Sequence, residues 1–269
     1  MKVLCPTDFS NASFNACRWM AQLLKEQKNA SLELLHCIDV VSRASVFLKT
    51  DDIFKEVAER DIAALKEELE KLAPQLEIST RVVNLSPKAY TTDYAKRKAF
   101  DLIVTGTKGL SALKEVTVGS VTAYLMDHAK IPVLAIPEEA TYDGLNHIVL
   151  GIDDDGESTA TLAPLVRLVE ATQARLEIVH TTNKKETVPV DSSPLSSLPL
   201  GEINYSFSTI PEERSIPETL TNYSVDQDAD IMVMVHRRRN FMERFFVGSF
   251  SREGLFIIKT PLLILPQLG

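Results

Sequence analysis

One ordered series of residues occurs twice in this chain, and a sequence that repeats itself in this way has to fold as two copies of one domain. Asp8, in Val-Leu-Cys-Pro-Thr-Asp, corresponds to Asp153 in Val-Leu-Gly-Ile-Asp, and His36, in Leu-Leu-His, to His180 in Ile-Val-His. Further on, at one constant spacing, Ser86 matches Ser215, Tyr94 matches Tyr223, Asp101 matches Asp230, Gly119-Ser120 matches Gly248-Ser249, and Pro132 and Pro137 match Pro261 and Pro266. The expected domains are 1–140 and 146–269, joined near Glu138 to Asn146. Between the His and Ser pairs the second copy is shorter. There the first copy carries the amphipathic stretch Asp51–Leu72, whereas the second carries Thr187–Leu200, rich in Pro and Ser. The second copy is therefore expected to lack the long second helix and to have an irregular loop in its place.

Within each copy, apolar strand-like runs alternate with helical patterns. In the first copy Val3–Cys5, Ser31–Ile38, Ile78–Leu85, Leu102–Thr105 and Val133–Ile136 read as strands. Between them, helices are predicted over Ala12–Lys25, Asp51–Leu72, about Lys88–Arg97 and from about Ser120. On the Asp51–Leu72 helix, Ile53, Phe54, Val57, Ile62, Leu65, Leu69 and Leu72 recur at helical spacing. Strict alternation of strand and helix predicts an α/β fold, with a parallel sheet covered by helices on both faces.

Composition narrows the function classes. A formal charge of -8 argues against a nonspecific binder of nucleic acid or of anionic membrane, both of which rely on a basic field. Cys5, Cys17 and Cys37 form no C-x-x-C pair and their odd number gives no disulfide framework, which fits a reducing compartment. Pro6 and Asp8 follow the start too closely for a signal-peptide apolar stretch, and no apolar run reaches membrane-spanning length, so the expected location is the cytoplasm.

The residues that suggest chemistry follow the predicted strand Leu102–Thr105. Gly106-Thr107-Lys108-Gly109 is followed by Gly119-Ser120 at the start of a helix. Glycines let backbone approach an anion without Cβ interference, and a helix start supplies amides and a positive dipole. The Ser120 hydroxyl, the Val121 amide and the Thr122 hydroxyl are further candidate phosphate donors. Alone, Gly-x-x-Gly more often marks an ordinary turn; the Gly-Ser pair and the preceding strand strengthen the anion reading. Asp8 follows the first strand, and so belongs at the same carboxyl edge of the sheet, where open α/β sheets bind ligands. It is suited to a ribose hydroxyl or a metal, or to capping the next helix. Lys108 offers a cation for phosphate, or is a solvated loop lysine.

Taken together, Pro6-Thr7-Asp8-Phe9-Ser10, Leu-Leu-His36-Cys37-Ile-Asp and Gly106-x-x-Gly109-x9-Gly119-Ser120 resemble the universal stress protein family in tandem form, over nearly the whole chain. The resemblance implies two five-stranded parallel domains, Rossmann-like and of the adenine nucleotide alpha hydrolase type. Many members of that family bind ATP through such a loop, and others lack the loop and do not. Residue by residue, it implies that Pro6, Thr7 and Asp8 hold the adenosine end, with Asp8 near the ribose, and that the Cys37 backbone meets adenine. Gly106, Thr107, Lys108, Gly109, Gly119, Ser120 and Val121 then meet the phosphates and ribose. The implied ligand is ATP or AMP, with Mg²⁺.

The second copy departs from this pattern. Val235 and Arg238 replace Gly106 and Gly109, and Gly151-Ile152 replaces Pro6-Thr7, so nucleotide binding in the same pose is not expected there. His236-Arg-Arg-Arg239 and Arg244 read as an ion-paired surface or as a site for another anion. His36 and His180, inside apolar strands, read as packed core histidines rather than general bases. Cys5 and Cys37 read as small apolar residues near one another on adjacent strands, not redox sensors.

The chain is thus expected to be a cytoplasmic stress-response or regulatory binder of ATP or AMP in its first copy, with a structural or interaction-bearing second copy. By the family's habit the last strands Val133–Ile136 and Leu262–Leu265 would pair within the chain. A homodimer of whole chains is compatible with the pattern. One alternative is a slow ATP hydrolase, although no base accompanies Asp8 and Lys108 and no Walker motif is present. The other is a module that binds a non-nucleotide ligand or a protein.

Overall fold

The computed structural model describes residues 1–38, 48–108, 118–152, 157–182, 200, 203–212, 215–236 and 258–268, with 48–51 described by backbone alone. The chain divides into two units, Met1–Tyr142 and Asp143–Gly269. In the first unit the elements are β1 (Lys2–Pro6), α1 (Asn11–Leu24), β2 (Ser31–Cys37), α2 (Leu48–Leu72), β3 (Glu77–Val83), α3 (Pro87–Arg97), β4 (Leu102–Gly106), α4 (Ser120–His128) and β5 (Val133–Ile136). The second unit contains β6 (His147–Ile152), α5 (Thr159–Thr172), β7 (Arg175–Thr182), β8 (Tyr205–Pro211), α6 (Ile216–Asp226), β9 (Ile231–His236) and β10 (Leu262–Pro266). The segment expected to replace the long helix, Thr187–Leu200, lies outside the described residues apart from Leu200, which is buried.

In the first unit the strands lie in the order β3-β2-β1-β4-β5, and in the second β8-β7-β6-β9-β10, which is the same order by repeat position. The described pairs within each unit are parallel. Chain direction across the sheet reverses after β3, so right-handed crossovers put α1 and α2 on one face and α3 and α4 on the other. That reversal leaves a crevice where β1 and β4, neighbours in space, send their chains to opposite faces.

Local signals account for the elements. Ser10 caps α1, its hydroxyl accepting from the Ser13 amide, and the helix turns Ala12, Ala16, Cys17, Met20 and Leu24 onto the sheet. Pro87 opens α3 at a position where a missing amide costs nothing. The buried seam of α2 begins at Ala58 and runs through Ile62, Leu65 and Leu69. Ile53, Phe54 and Val57, which share the helical spacing, are exposed. Arg18 of α1 forms an ion pair with Glu68 of α2, which ties the two helices together.

The repeated polar residues are anchors of the fold. The Asp101 carboxylate accepts from the Lys2 amide at 2.7 Å, and Asp230 accepts from the amides of Asn146 and His147 at 2.6 and 2.8 Å, each holding the amino end of its copy's first strand. Tyr94 donates to Glu33 at 2.8 Å and Tyr223 to Glu177 at 2.6 Å, joining the helix before the fourth strand to the second strand. Ser86 and Ser215 stand at the N-caps of α3 and α6. No helix among the described residues is long and apolar enough to cross a membrane.

Candidate functional site

At the carboxyl edge of the first unit's sheet, three chain segments converge. The first is the turn after β1. The Thr7 amide donates to the Leu35 carbonyl at 2.8 Å, and the Thr7 hydroxyl, buried, is shared with Ser13 at 2.9 Å while accepting from the Phe9 amide at 3.1 Å. Thr7 thus builds the turn with its side chain. Asp8 accepts through Oδ1 from the Ser10 amide and the Ser10 hydroxyl, at 3.1 and 2.6 Å. The cap of α1 is Ser10, and Asp8 braces it from outside; the half-buried carboxylate stays at the mouth of the crevice.

The second segment is the end of β2. Leu35 gives its carbonyl to Thr7 on the β1 side, whereas the Ile38 amide donates to Val83 on the β3 side. Backbone groups of successive residues in a strand point to alternate neighbours, so those of Cys37 point toward the side that β1 vacates when it turns at Thr7. Next to it, His36 lies with Nδ1 2.8 Å from the Thr7 carbonyl. A carbonyl only accepts, so Nδ1 carries the proton. The ring is half-buried and stacks on Phe9, which makes His36 a hydrogen-bonded framework residue.

The third segment follows β4. Thr107 is buried and donates its amide to the Ile136 carbonyl at 3.0 Å, then accepts from the Gly119 amide at 2.7 Å, which brings the start of α4 against the end of β4. Gly119 is the N-cap of α4 and supplies no side-chain cap. Helix geometry leaves the amides of Ser120, Val121 and Thr122 without intrahelical acceptors. Ser120 is exposed and Val121 half-buried at this end. The Thr122 hydroxyl, expected as a phosphate donor, is turned inward: it is buried and donates to the Gly106 carbonyl at 2.7 Å. Half-buried Lys108 brings its carbonyl to 3.5 Å from the Ser10 hydroxyl, so the first and third segments meet.

Gly106 also meets a steric demand that its sequence context does not show. A Cβ built there would lie 2.5 Å from the Ala12 carbonyl carbon and 2.8 Å from the Ser13 nitrogen. The close approach is to the backbone of α1, whose first turn sits on the end of β4. Val235, at the same repeat position, is buried and places a β-branched side chain there. Gly151, in the position of Pro6, differs: a Cβ there would meet the side-chain end of Leu220 of α6 rather than backbone. The carboxyl edges of the two copies are packed differently.

Of the expected site residues, Pro6, Thr7, Asp8, Cys37, Gly106, Thr107, Lys108, Gly119, Ser120 and Val121 lie at this edge. Gly109 lies outside the described residues, as do Asp153, Arg238, Arg239, Arg244 and Gly248-Ser249 of the second copy. Among the described residues no three His, Cys, Asp or Glu cluster to hold a metal. Cys5 has Cys17 as its neighbour, with Sγ atoms 2.7 Å apart in the core, while β1 and β2 register it against Leu34 rather than Cys37. Sequence reasoning passed over Phe9, Ser10 and Ser13, although the spacing of Ser10 before the α1 pattern is an N-cap signal. It also passed over Glu33 and Glu177, which recur with their tyrosine partners.

The universal stress protein family model matches residues 1–137 and again 144–266. A universal stress protein of Bacillus subtilis is 31% identical over 149 residues, which are 50% of this chain and 97% of that protein. One from Mycobacterium tuberculosis is 22% identical over 253 residues, 87% of this chain and 77% of its own. In fold, the chain is similar to the crystal structure of a universal stress protein from Archaeoglobus fulgidus, with a TM-score of 0.72 at 16% identity, over 99% of this chain and 96% of that one.

Proposed function

The chain belongs to the universal stress protein family, with two copies of its domain, and from that premise we propose that the first copy binds ATP or AMP at the carboxyl edge of its sheet. The observation that carries this reading is the start of α4: a glycine N-cap without a side-chain cap, held against the end of β4 and next to the Thr7–Asp8 turn. Such a helix start is an anion site, and the amides of Ser120 and Val121 suit phosphate oxygens. At the other end of the crevice, the Cys37 backbone can pair with an adenine edge and Asp8 can accept from a ribose hydroxyl. The bound phosphates would bring Mg²⁺, and Lys108 would add a cation. The second copy, with Val235 for Gly106, serves as a structural or interaction-bearing partner, and nucleotide occupancy is what a stress-response partner would read.

The test is calorimetry of the whole chain with ATP and AMP, with and without Mg²⁺. Ser120→Glu places a carboxylate in the first turn of α4, where it suits the helix dipole but repels phosphate. A weakening of ATP binding of about tenfold or more is expected, from the loss of charge-assisted contacts. No adenine nucleotide bound at millimolar concentration by the parent chain would sink the proposal.

A further inference from the structure

On the reading above, the nucleotide is held at two ends, and one residue that this reading leaves unused joins the parts of the nucleoside end. Phe9 has φ 63°, the left-handed region. For a bulky L-residue this conformation is unfavourable and persists only where the surroundings over-determine it. Here the Phe9 amide donates to Thr7 Oγ1 at 3.1 Å, and the ring stacks on His36 with centroids 4.3 Å apart and planes 25° from parallel. A second ring, Phe14, lies 6.2 Å away. His36 bonds the Thr7 carbonyl at 2.8 Å and immediately precedes Cys37. One stacked pair therefore ties the turn that carries Asp8 to the strand end that carries the Cys37 backbone. In the second copy, the residue after the matching Asp153 is Asp154, so the sequence carries no aromatic residue at the position of Phe9.

We propose that the Phe9–His36 stack is a positioning device for the nucleoside: it fixes the separation between Asp8 and the Cys37 backbone, and so sets the preference of the first copy for a nucleotide over a bare polyphosphate. The inference rests on the nucleotide reading. Phosphate contacts at the start of α4 do not pass through the stack, so the two ends respond separately to its loss.

The experiment is calorimetry of the whole chain with Mg-ATP and with Mg-tripolyphosphate. Phe9→Gly accepts the left-handed backbone but removes the ring. ATP binding should weaken by about tenfold, the scale of one aromatic pair, while tripolyphosphate binding stays unchanged. Phe9→Tyr, which restores the ring, should return ATP affinity to within about twofold of the parent, since the stacking face is kept. Should the glycine variant fail to fold, Phe9→Leu supplies apolar bulk without a π face and is expected to show the same selective loss. The proposal is overturned if the ring-less variants bind ATP as the parent does, or if they lose ATP and tripolyphosphate alike, the mark of general loosening. A parent chain that binds tripolyphosphate but no ATP refutes the nucleotide reading itself and this inference with it. Loss of ATP binding alone, confined to the ring-less variants, supports both.

Discussion

Replacing Gly106 by alanine tests how the first copy is assembled around its crevice. The added Cβ would meet the Ala12 carbonyl carbon at 2.5 Å, its oxygen at 2.6 Å and the Ser13 nitrogen at 2.8 Å, against 3.4 Å or more for ordinary contact. All three are backbone atoms in the first turn of α1, so no side chain can rotate away. Either the helix start retreats by about 1 Å or β4 yields by as much, and overpacking of this kind costs about 1–3 kcal/mol, here at the upper end because both sides are regular backbone. For a unit of this size that corresponds to a fall in Tm of about 6–12 °C. The chain reports on this unit selectively: Trp19 is its single tryptophan, lies in α1 at 2% exposure, and donates from its ring to the Thr141 carbonyl. Its fluorescence therefore follows unfolding of the first unit with little signal from the second. Gly106→Val, the residue of the second copy, should cost more than alanine. ATP affinity should fall with stability, because the displaced turn carries Ser10, which braces Asp8 and reaches the Lys108 carbonyl. A midpoint within about 2 °C of the parent would refute the argument, since it would mean that α1 gives way at a cost of about 1 kcal/mol or less.

The remaining predictions use other contacts. Ser10→Ala removes the α1 cap and should lower the stability of the first unit by about 1 kcal/mol, read as a shift of the Trp19 urea midpoint; an unchanged midpoint would show that Asp8 or water replaces the cap. Among the thiols, burial pushes the Cys5 thiol well up, helped by its hydrogen bond with Cys17, and both sulfurs are in the core, whereas Cys37 is half-buried. A thiol reagent should therefore label Cys37 in the native chain and all three cysteines after denaturation; equal rates in the native state would contradict the burial. In the second copy, burial pushes the Glu177 carboxyl up, but hydrogen bonds from Ser208, Tyr223 and His147 outweigh it and hold the group below its ordinary 4.5. A depressed carboxyl stabilises the fold above its unfolded value and loses that contribution as pH falls through the folded one. Stability of the second unit should thus decline below pH 4.5, with a flatter acid limb in Glu177→Gln, followed by hydrogen exchange of β7; identical limbs would remove Glu177 as the cause.

The repeat was legible in the sequence because it is written in matched residues, and the structure supplies their physical meaning. Asp101 and Asp230 hold strand ends, Tyr94 and Tyr223 bind carboxylates of the second strands, and Ser86 and Ser215 stand at helix caps. These are needs of the backbone that two copies of one fold must share. Alternation of apolar runs likewise revealed strands, helices and their parallel arrangement, since periodicity is set by neighbours along the chain. Contacts between distant segments leave no period. The glycine at 106 reads as a phosphate loop, and only the packing of α1 on the end of β4 explains why a Cβ is excluded there. Thr122 reads as a hydroxyl donor at a helix start, yet its side chain turns in to the Gly106 carbonyl. Ile53, Phe54 and Val57 share their spacing with buried residues and are exposed, since helical spacing fixes a face but not what packs on it. The left-handed turn at Phe9 is partly of this class: local preference opposes it, the neighbouring Thr7 hydroxyl holds its amide, and the His36 ring, from β2, stacks on its side chain.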